Sequence, residues 1–328
     1  TSSTPRNLPP SITHPEVQVG VKKRYLVYVC DNRELCGGIG DRQRTITSFF
    51  LLARLSNRQF YMIMSSPCNF NNFYIPRNYQ WEPNMTELEP PNEKNTLSFL
   101  TEGDFNTKYP QKVIYFRTNY DISEPLCINP FYSKLMEQWN GLQDKRDRFH
   151  WAWHELMQPA PKLMTNLERT SNIKPLYDVG DSKLICAHVR MGGNPSIPMD
   201  GHYVRVPLSE IPTIHKFMLS KDTDGKAMFY VATDYINIRI RSHNKFGKRF
   251  IDYGAKIFHI DLQRSGNDIC EGFGDAALDQ LILSLCDVLV VCNSGFGVGA
   301  YYISNSTGHG YYVENEEVFL FKEKTANY

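Results

Sequence analysis

The feature that most constrains this chain is the alternation of short apolar runs with helical stretches from about Lys174 to about Ala300. Leu184–Val189, Ala227–Ala232, Lys256–Ile260 and Val288–Cys292 have the length and apolar density of buried strands. Between them, residues near 208–220, 235–246 and 275–285 repeat apolar positions at helical spacing, and another helix begins after Ser294. Parallel strands need crossover connections, so four such alternations in about 120 residues predict a doubly wound α/β sheet. The first half opens in the same way. Tyr25–Cys30 reads as a strand, Cys36-Gly-Gly-Ile-Gly40 as a glycine turn and Gln59–Met64 as the next strand. Between turn and second strand, Ile46, Phe49, Phe50 and Ala53 mark a helix with Asp41 as its N-cap and an end near Asn57. The expected organisation is a stalk or linker at 1–24 and two Rossmann-like halves, 25–174 and 175–328, facing a central cleft.

Composition excludes several classes. With 41% apolar and 13% aromatic residues in 328, the chain builds real cores. Lys and Arg number 36 against 35 acids, so the basic excess of a nucleic-acid binder is missing. No apolar run reaches the roughly 18 residues of a membrane span. The chain begins at Thr1 with a Pro-, Ser- and Thr-rich stretch ending in Lys22-Lys23-Arg24, from which an upstream segment is expected, a membrane anchor being one reading of it. Of the eight cysteines, Cys30, Cys36, Cys68 and Cys127 are the bridge candidates, while Cys186, Cys286 and Cys292 sit in apolar runs as buried thiols. No Cys-x-x-Cys or Cys/His pattern supplies a zinc site, and no metal is expected. Asn84-Met-Thr and Asn305-Ser-Thr are glycosylation sequons pointing to the secretory pathway. Residues 65–130 are rich in Asn, Pro and aromatics; Phe70, Phe73, Tyr74, Tyr79 and Trp81 either form an acceptor platform or pack a loop.

In open parallel sheets, ligands bind beyond the carboxyl ends of strands. Three clusters lie there. His188-Val-Arg190 closes a strand, and its Arg can fork onto phosphate or be salt-bridged at the sheet end. Ala232-Thr-Asp234 ends another; Asp234 accepts from a sugar hydroxyl or base N–H, or caps the next helix. Asn293-Ser-Gly-Phe-Gly-Val-Gly299 lets a ligand approach backbone N–H groups at a helix N-terminus, but it lacks the G-x-G-x-x-G spacing of a dinucleotide enzyme. The turn with Gly38, Gly40 and Arg42 faces the cleft from the other half, on the sugar or acceptor side. Asp222-Thr-Asp224 imitates a metal motif, but it precedes a strand and reads as a polar turn.

Together, Cys36–Phe60, His188-Val-Arg190, Tyr230-Val-Ala-Thr-Asp234 and Leu278–Ala300 resemble the superfamily of GDP-fucose-dependent fucosyltransferases. That superfamily includes the α1,6, nodulation, α1,2 and protein O-fucosyltransferases; the last of the four stretches looks most like the α1,6 branch. The resemblance implies a GT-B-like fold and an inverting, metal-independent transfer from GDP-β-L-fucose, without cofactor, to a glycan or glycoprotein. The setting it implies is the Golgi lumen, as the soluble part of a type II membrane protein. It also implies that Arg190 holds the β-phosphate and His188 lines the nucleotide pocket. Asp234 and Asp279 would contact nucleotide, and Ser294, Gly295, Phe296 and Gly297 the diphosphate.

The chain departs from the α1,6 pattern just after Arg190. There a second Arg follows, with a Lys and a Glu downstream; here Met191 follows and Gly192–Pro198 carries no charge. Asp200, Asp41 and Glu210 are the substitute candidates for the general base. The missing Glu leaves open a catalytically silent GDP-sugar or glycan binder, and a GT-B enzyme using another sugar nucleotide is a further alternative. Every version requires Arg190 to be accessible at its strand mouth rather than locked against an acid with no room for a guest.

Overall fold

The computed structural model describes residues 23–31, 33–94, 96–97, 103–139, 142, 144–170, 183–192, 204–257, 268–305 and 310–321. Most of the expected stalk lies outside these residues, as does Asp200.

The first part of the chain runs β1 (Tyr25–Cys30), α1 (Ile39–Leu55), β2 (Gln59–Met64), β3 (Tyr74–Pro76), β4 (Thr96–Leu97), α2 (Phe105–Lys108) and β5 (Val113–Phe116). It continues through α3 (Ser123–Ile128), α4 (Ser133–Glu137), α5 (Lys145–Leu156), β6 (Met157–Pro159) and α6 (Pro161–Arg169). Then come β7 (Leu184–Val189), α7 (Ile211–Lys221), β8 (Met228–Thr233), α8 (Ile236–Phe246) and β9 (Phe250–Ile251). The described chain closes with α9 (Ile269–Ser284), β10 (Val288–Val291), α10 (Gly295–Ile303), β11 (Gly310–Glu314) and β12 (Glu317–Leu320).

One sheet has the order β2-β1-β5-β4 and is parallel throughout. Another has the order β12-β11-β10-β7-β8-β9, parallel except for the antiparallel edge strand β12. β3 and β6 make a two-stranded pair. The mixed α/β class and the parallel sheets expected from the periodicity are present. One strand differs: β9 is Phe250–Ile251, and Lys256 and Ile257 are irregular. The apolar pattern at 256–260 is therefore not a sheet strand where it is described; residues 258–260 lie outside the described set.

The chain forms two compact units. One takes the residues up to Cys36, Arg42–Ser65 and Pro76–Gln158; the other takes Gly37–Asp41, Ser66–Ile75 and everything from Pro159. In the first, α1 and the β1-β5 sheet bury an aromatic core. Phe49 lies 4.6 Å from Phe116, and Phe50 lies 5.0 Å from Tyr79 and 5.5 Å from Trp151. Trp81 donates its indole N–H to the Leu156 carbonyl at 2.9 Å, satisfying the one polar atom it brings inside.

In the second unit, all six residues of β7 are buried, because helices cover both faces of its sheet. Ile185, Ala187, Val189, Phe229, Val231, Val288 and Val290 pack with Ile211, Ile214 and Met218 of α7 and with Ile238 and Phe246 of α8. Period-2 alternation turns Cys186, His188 and Tyr230 the other way. A disulfide joins Cys186 to Cys286, just beyond α9, with Cα atoms 6.0 Å apart. The expectation of free thiols there is corrected: two apolar runs hid a bridge, since residues 100 apart in sequence meet across a sheet and its covering helix. The other disulfides are Cys30–Cys36 and Cys68–Cys270, while Cys127 is unbridged. Beside the latter bridge, Phe73 packs 4.7 Å from Phe273 of α9 and Phe70 stacks on Tyr74 at 5.2 Å. Phe70, Phe73, Tyr74, Tyr79 and Trp81 are all buried, so they pack the fold and offer no open platform to a sugar. Among the described residues no helix is long and apolar enough to cross a membrane.

Candidate functional site

At the carboxyl edge of the second unit's sheet, β7 lies between β10 and β8, with His188 opposite Ala232 and Val189 opposite Thr233. The residues following these three strands meet there. The Arg190 backbone N–H donates to Cys292 Sγ at 3.2 Å, and its guanidinium is ion-paired to Asp234. The pair is largely buried, with 12% of the Arg190 side chain and 8% of the Asp234 side chain exposed, so the expectation of an open guanidinium is corrected to one clamped on an acid with a small face exposed. Asp234 also accepts from the Met191 N–H at 2.7 Å and the Gly192 N–H at 2.9 Å. Both its oxygens thus serve donors of this chain and fix Arg190 and the start of the loop.

His188 is buried beside them. Its ring lies 5.0 Å from that of Phe296, and its Nδ1 lies 3.8 Å from Cys292 Sγ. Burial first, then the positive charges of Arg190 and Arg205, push its pKa down to about 3. It is therefore a neutral hydrogen-bonding group at physiological pH and not a cation for phosphate.

α10 begins on this ring. A Cβ on Gly297 would stand 2.6 Å from His188 Nδ1, so only glycine lets the first turn approach so closely. Ser294 is the buried N-cap, and its side chain caps none of the helix N–H groups. The turn Gly37–Asp41 meets the same place. A Cβ on Gly40 would run into the Gly295 carbonyl group and stand 2.8 Å from the Phe296 nitrogen. The first turns of α1 and α10 are in backbone contact, which brings two positive helix ends together and favours an anion beside them. Asp41 lies inside the first turn of α1, not at its N-cap, and accepts from the Gly38 N–H at 3.0 Å. Arg42, which belongs to the first unit, is buried and donates to Cys30 Sγ at 2.7 Å.

The remaining candidates lie elsewhere in the fold. Glu210 is buried and accepts from the backbone N–H groups of Asn315 and Glu316, in the turn between β11 and β12. Burial raises its pKa, and nearby Glu316 and Glu314 add to the rise. Asp279 of α9 accepts from the Tyr230 hydroxyl at 2.5 Å and from the Tyr253 hydroxyl. Asp222 is bound to Arg249 and to the Ala227 N–H, as a polar turn requires. Asn84 and Asn305 are exposed. One residue absent from the sequence reading belongs to the strand mouth: Arg205, whose backbone N–H bonds the Met191 carbonyl at 2.8 Å. Only the position of Arg205 at the end of the loop after Arg190 hinted at this.

Asp279 gives a pH test of the fold. Burial pushes its pKa up to about 6 against the usual carboxylate range, although both phenols favour the charged form. An acid whose folded pKa exceeds its unfolded value stabilises the fold while protonated. That contribution is complete below about pH 4 and is lost as pH rises through about 6. Asp279→Asn keeps an acceptor and cannot ionise. It is expected to remove a decline on the order of 2 kcal/mol between pH 4 and 7, read from urea midpoints of variant and wild type at both pH values. Parallel pH profiles would contradict the assignment.

No family model matches the sequence, and no curated protein matches it. Solved structures do. An Arabidopsis thaliana FUT1 mutant in complex with GDP superposes with a TM-score of 0.60 at 14% identity, covering 90% of this chain and 71% of that one. The NodZ α-1,6-fucosyltransferase soaked with GDP-fucose gives 0.53 at 12% identity, over 92% of this chain and 99% of that one. Fucosyltransferase NodZ from Bradyrhizobium gives 0.51 at 11% over the same shares. At these identities the likeness is one of architecture, and the chain has the α/β fold of the fucosyltransferases.

Proposed function

We propose that this chain is an inverting, metal-independent fucosyltransferase with a GT-B arrangement, using GDP-β-L-fucose and a glycan or glycoprotein acceptor. One juxtaposition carries the reading: Arg190, neutral His188 and the glycine-rich first turn of α10 stand together at the carboxyl edge of the sheet. The shared fold with fucosyltransferases solved with GDP or GDP-fucose supports the same assignment. In the reaction, the acceptor oxygen attacks fucose C1 from the face opposite the diphosphate. The bond from C1 to the β-phosphate oxygen breaks, GDP takes the electron pair, and the acceptor proton passes to a base. The guanidinium and fixed N–H dipoles meet the charge growing on the leaving oxygen. Of the candidate bases, Asp41 and Glu210 already accept backbone N–H groups, which leaves Asp200 as the first to replace. Three disulfides favour an oxidising compartment, and within that setting the reading places the chain in the Golgi lumen as the soluble part of a type II membrane protein.

The test is transfer of labelled fucose from GDP-fucose to a panel of glycan acceptors, with and without EDTA. Transfer at an EDTA-insensitive rate, with an α-linked product by NMR, is the expected result. A second reading has support of its own. The Arg190–Asp234 pair offsets the cation, and the uncharged stretch after it fits a relative that binds GDP-sugar without turnover. Thermal stabilisation by GDP without transfer across the panel selects that reading; stabilisation by UDP or ADP in place of GDP overturns the choice of donor.

A further inference from the structure

The loop that leaves Arg190 returns to the same strand mouth. The Arg205 N–H bonds the Met191 carbonyl at 2.8 Å, which ties the loop's two ends together. From there the Arg205 guanidinium reaches across to β10, and its Nη1 donates to the Asn293 carbonyl at 3.2 Å, one residue before the N-cap of α10. Arg205 is exposed. The two arginines of the edge are therefore held differently. Arg190 is drawn toward β8 by a carboxylate that offsets its charge, whereas Arg205 is held toward α10 by a neutral carbonyl. Among the described residues Arg205 makes no ion pair. Its charge is felt at the site, because it lowers the His188 pKa alongside Arg190.

We infer that Arg205 is the second diphosphate-binding cation of this site, standing on the helix side while Arg190 stands on the β8 side. The inference rests on the GDP-sugar reading. A diphosphate lying along the first turn of α10 meets backbone N–H groups below, Arg190 on one flank and Arg205 on the other. A carbonyl-bound guanidinium retains its full charge and further N–H donors for a phosphate oxygen. Met191, where the resembling α1,6 pattern has its second Arg, then causes no loss of charge: the cation comes from the other end of the loop.

The experiment is calorimetric titration of the full chain with GDP, UDP, ADP, guanosine and inorganic pyrophosphate, in wild type, Arg205→Ala and Arg205→Lys. Arg205→Ala is expected to weaken GDP and pyrophosphate by about 10- to 100-fold, the range for one charge-assisted hydrogen bond, and to leave guanosine unchanged. Arg205→Lys is expected to recover part of the loss. Wild type binding GDP while Arg205→Ala binds it equally well overturns this inference and leaves the GDP-sugar reading standing. Wild type preferring UDP or ADP, with pyrophosphate still weakened in Arg205→Ala, overturns the donor and keeps the cation. Equal losses for guanosine and GDP overturn it too, since they mark a collapsed pocket. Matching circular dichroism and melting curves confirm that an exposed side chain was removed without unfolding.

Discussion

Arg190→Ala is expected to lower fucosyl transfer by at least about 100-fold, the cost of removing one preorganised donor from a developing oxyanion. The side chain sits where β7 opens, and its backbone is pinned to the neighbouring strand through Cys292 Sγ. Its guanidinium plane is set by Asp234, which is itself held by two backbone N–H groups. Such a fixed fork needs no reorganisation as charge develops on the departing phosphate. Truncation also strands the buried Asp234 carboxylate, so a fall in rate alone would be ambiguous. Arg190→Lys keeps the charge and loses the planar fork. It is expected to retain the fold, shown by an unchanged melting temperature, and still to lose most of kcat. Undiminished transfer in both variants would remove Arg190 from the site.

Replacing Cys68 and Cys270 together by serine is expected to cost about 2–5 kcal/mol of stability, the range for removing a native bridge. The two cysteines are 202 residues apart, so their link closes a very long loop and restricts the unfolded chain accordingly. In the folded state it fastens the segment 66–75 to α9, beside the Phe70, Phe73 and Phe273 contacts. Those contacts stay in the variant and hold the loss toward the lower end. The measurement is the urea midpoint of the oxidised double variant against oxidised wild type. An unchanged midpoint would show that the aromatic contacts alone fasten the segment.

The strands β7, β8 and β10 were legible because each is a dense apolar run giving way to polar residues, a local signal. Position at the strand ends likewise pointed to His188, Arg190 and the glycines after Ser294, which the fold brings to one edge of the sheet. Most of what went unread was non-local. Nothing near Cys186 in sequence announces Cys286, and a buried thiol and a buried bridge present the same apolar neighbours. That Asp234 holds the Met191 and Gly192 N–H groups, and Asp279 two phenols, is likewise visible only in the fold. Arg205 could not be placed because the loop that returns it to Met191 leaves no periodic trace. At 256–260 the local pattern was too short to fix a strand, and Lys256 and Ile257 lie outside β9.

The interleaving of the two units, with breaks at 36, 41, 65, 75 and 158, decides how the molecule can be dissected. No single cut releases either part whole. A fragment starting at Pro159 would lack the glycine turn that abuts Gly295 and the tether that reaches Cys270. Ribosomal synthesis meets the same interleaving: the segments 37–41 and 66–75 are made long before the rest of the unit they belong to.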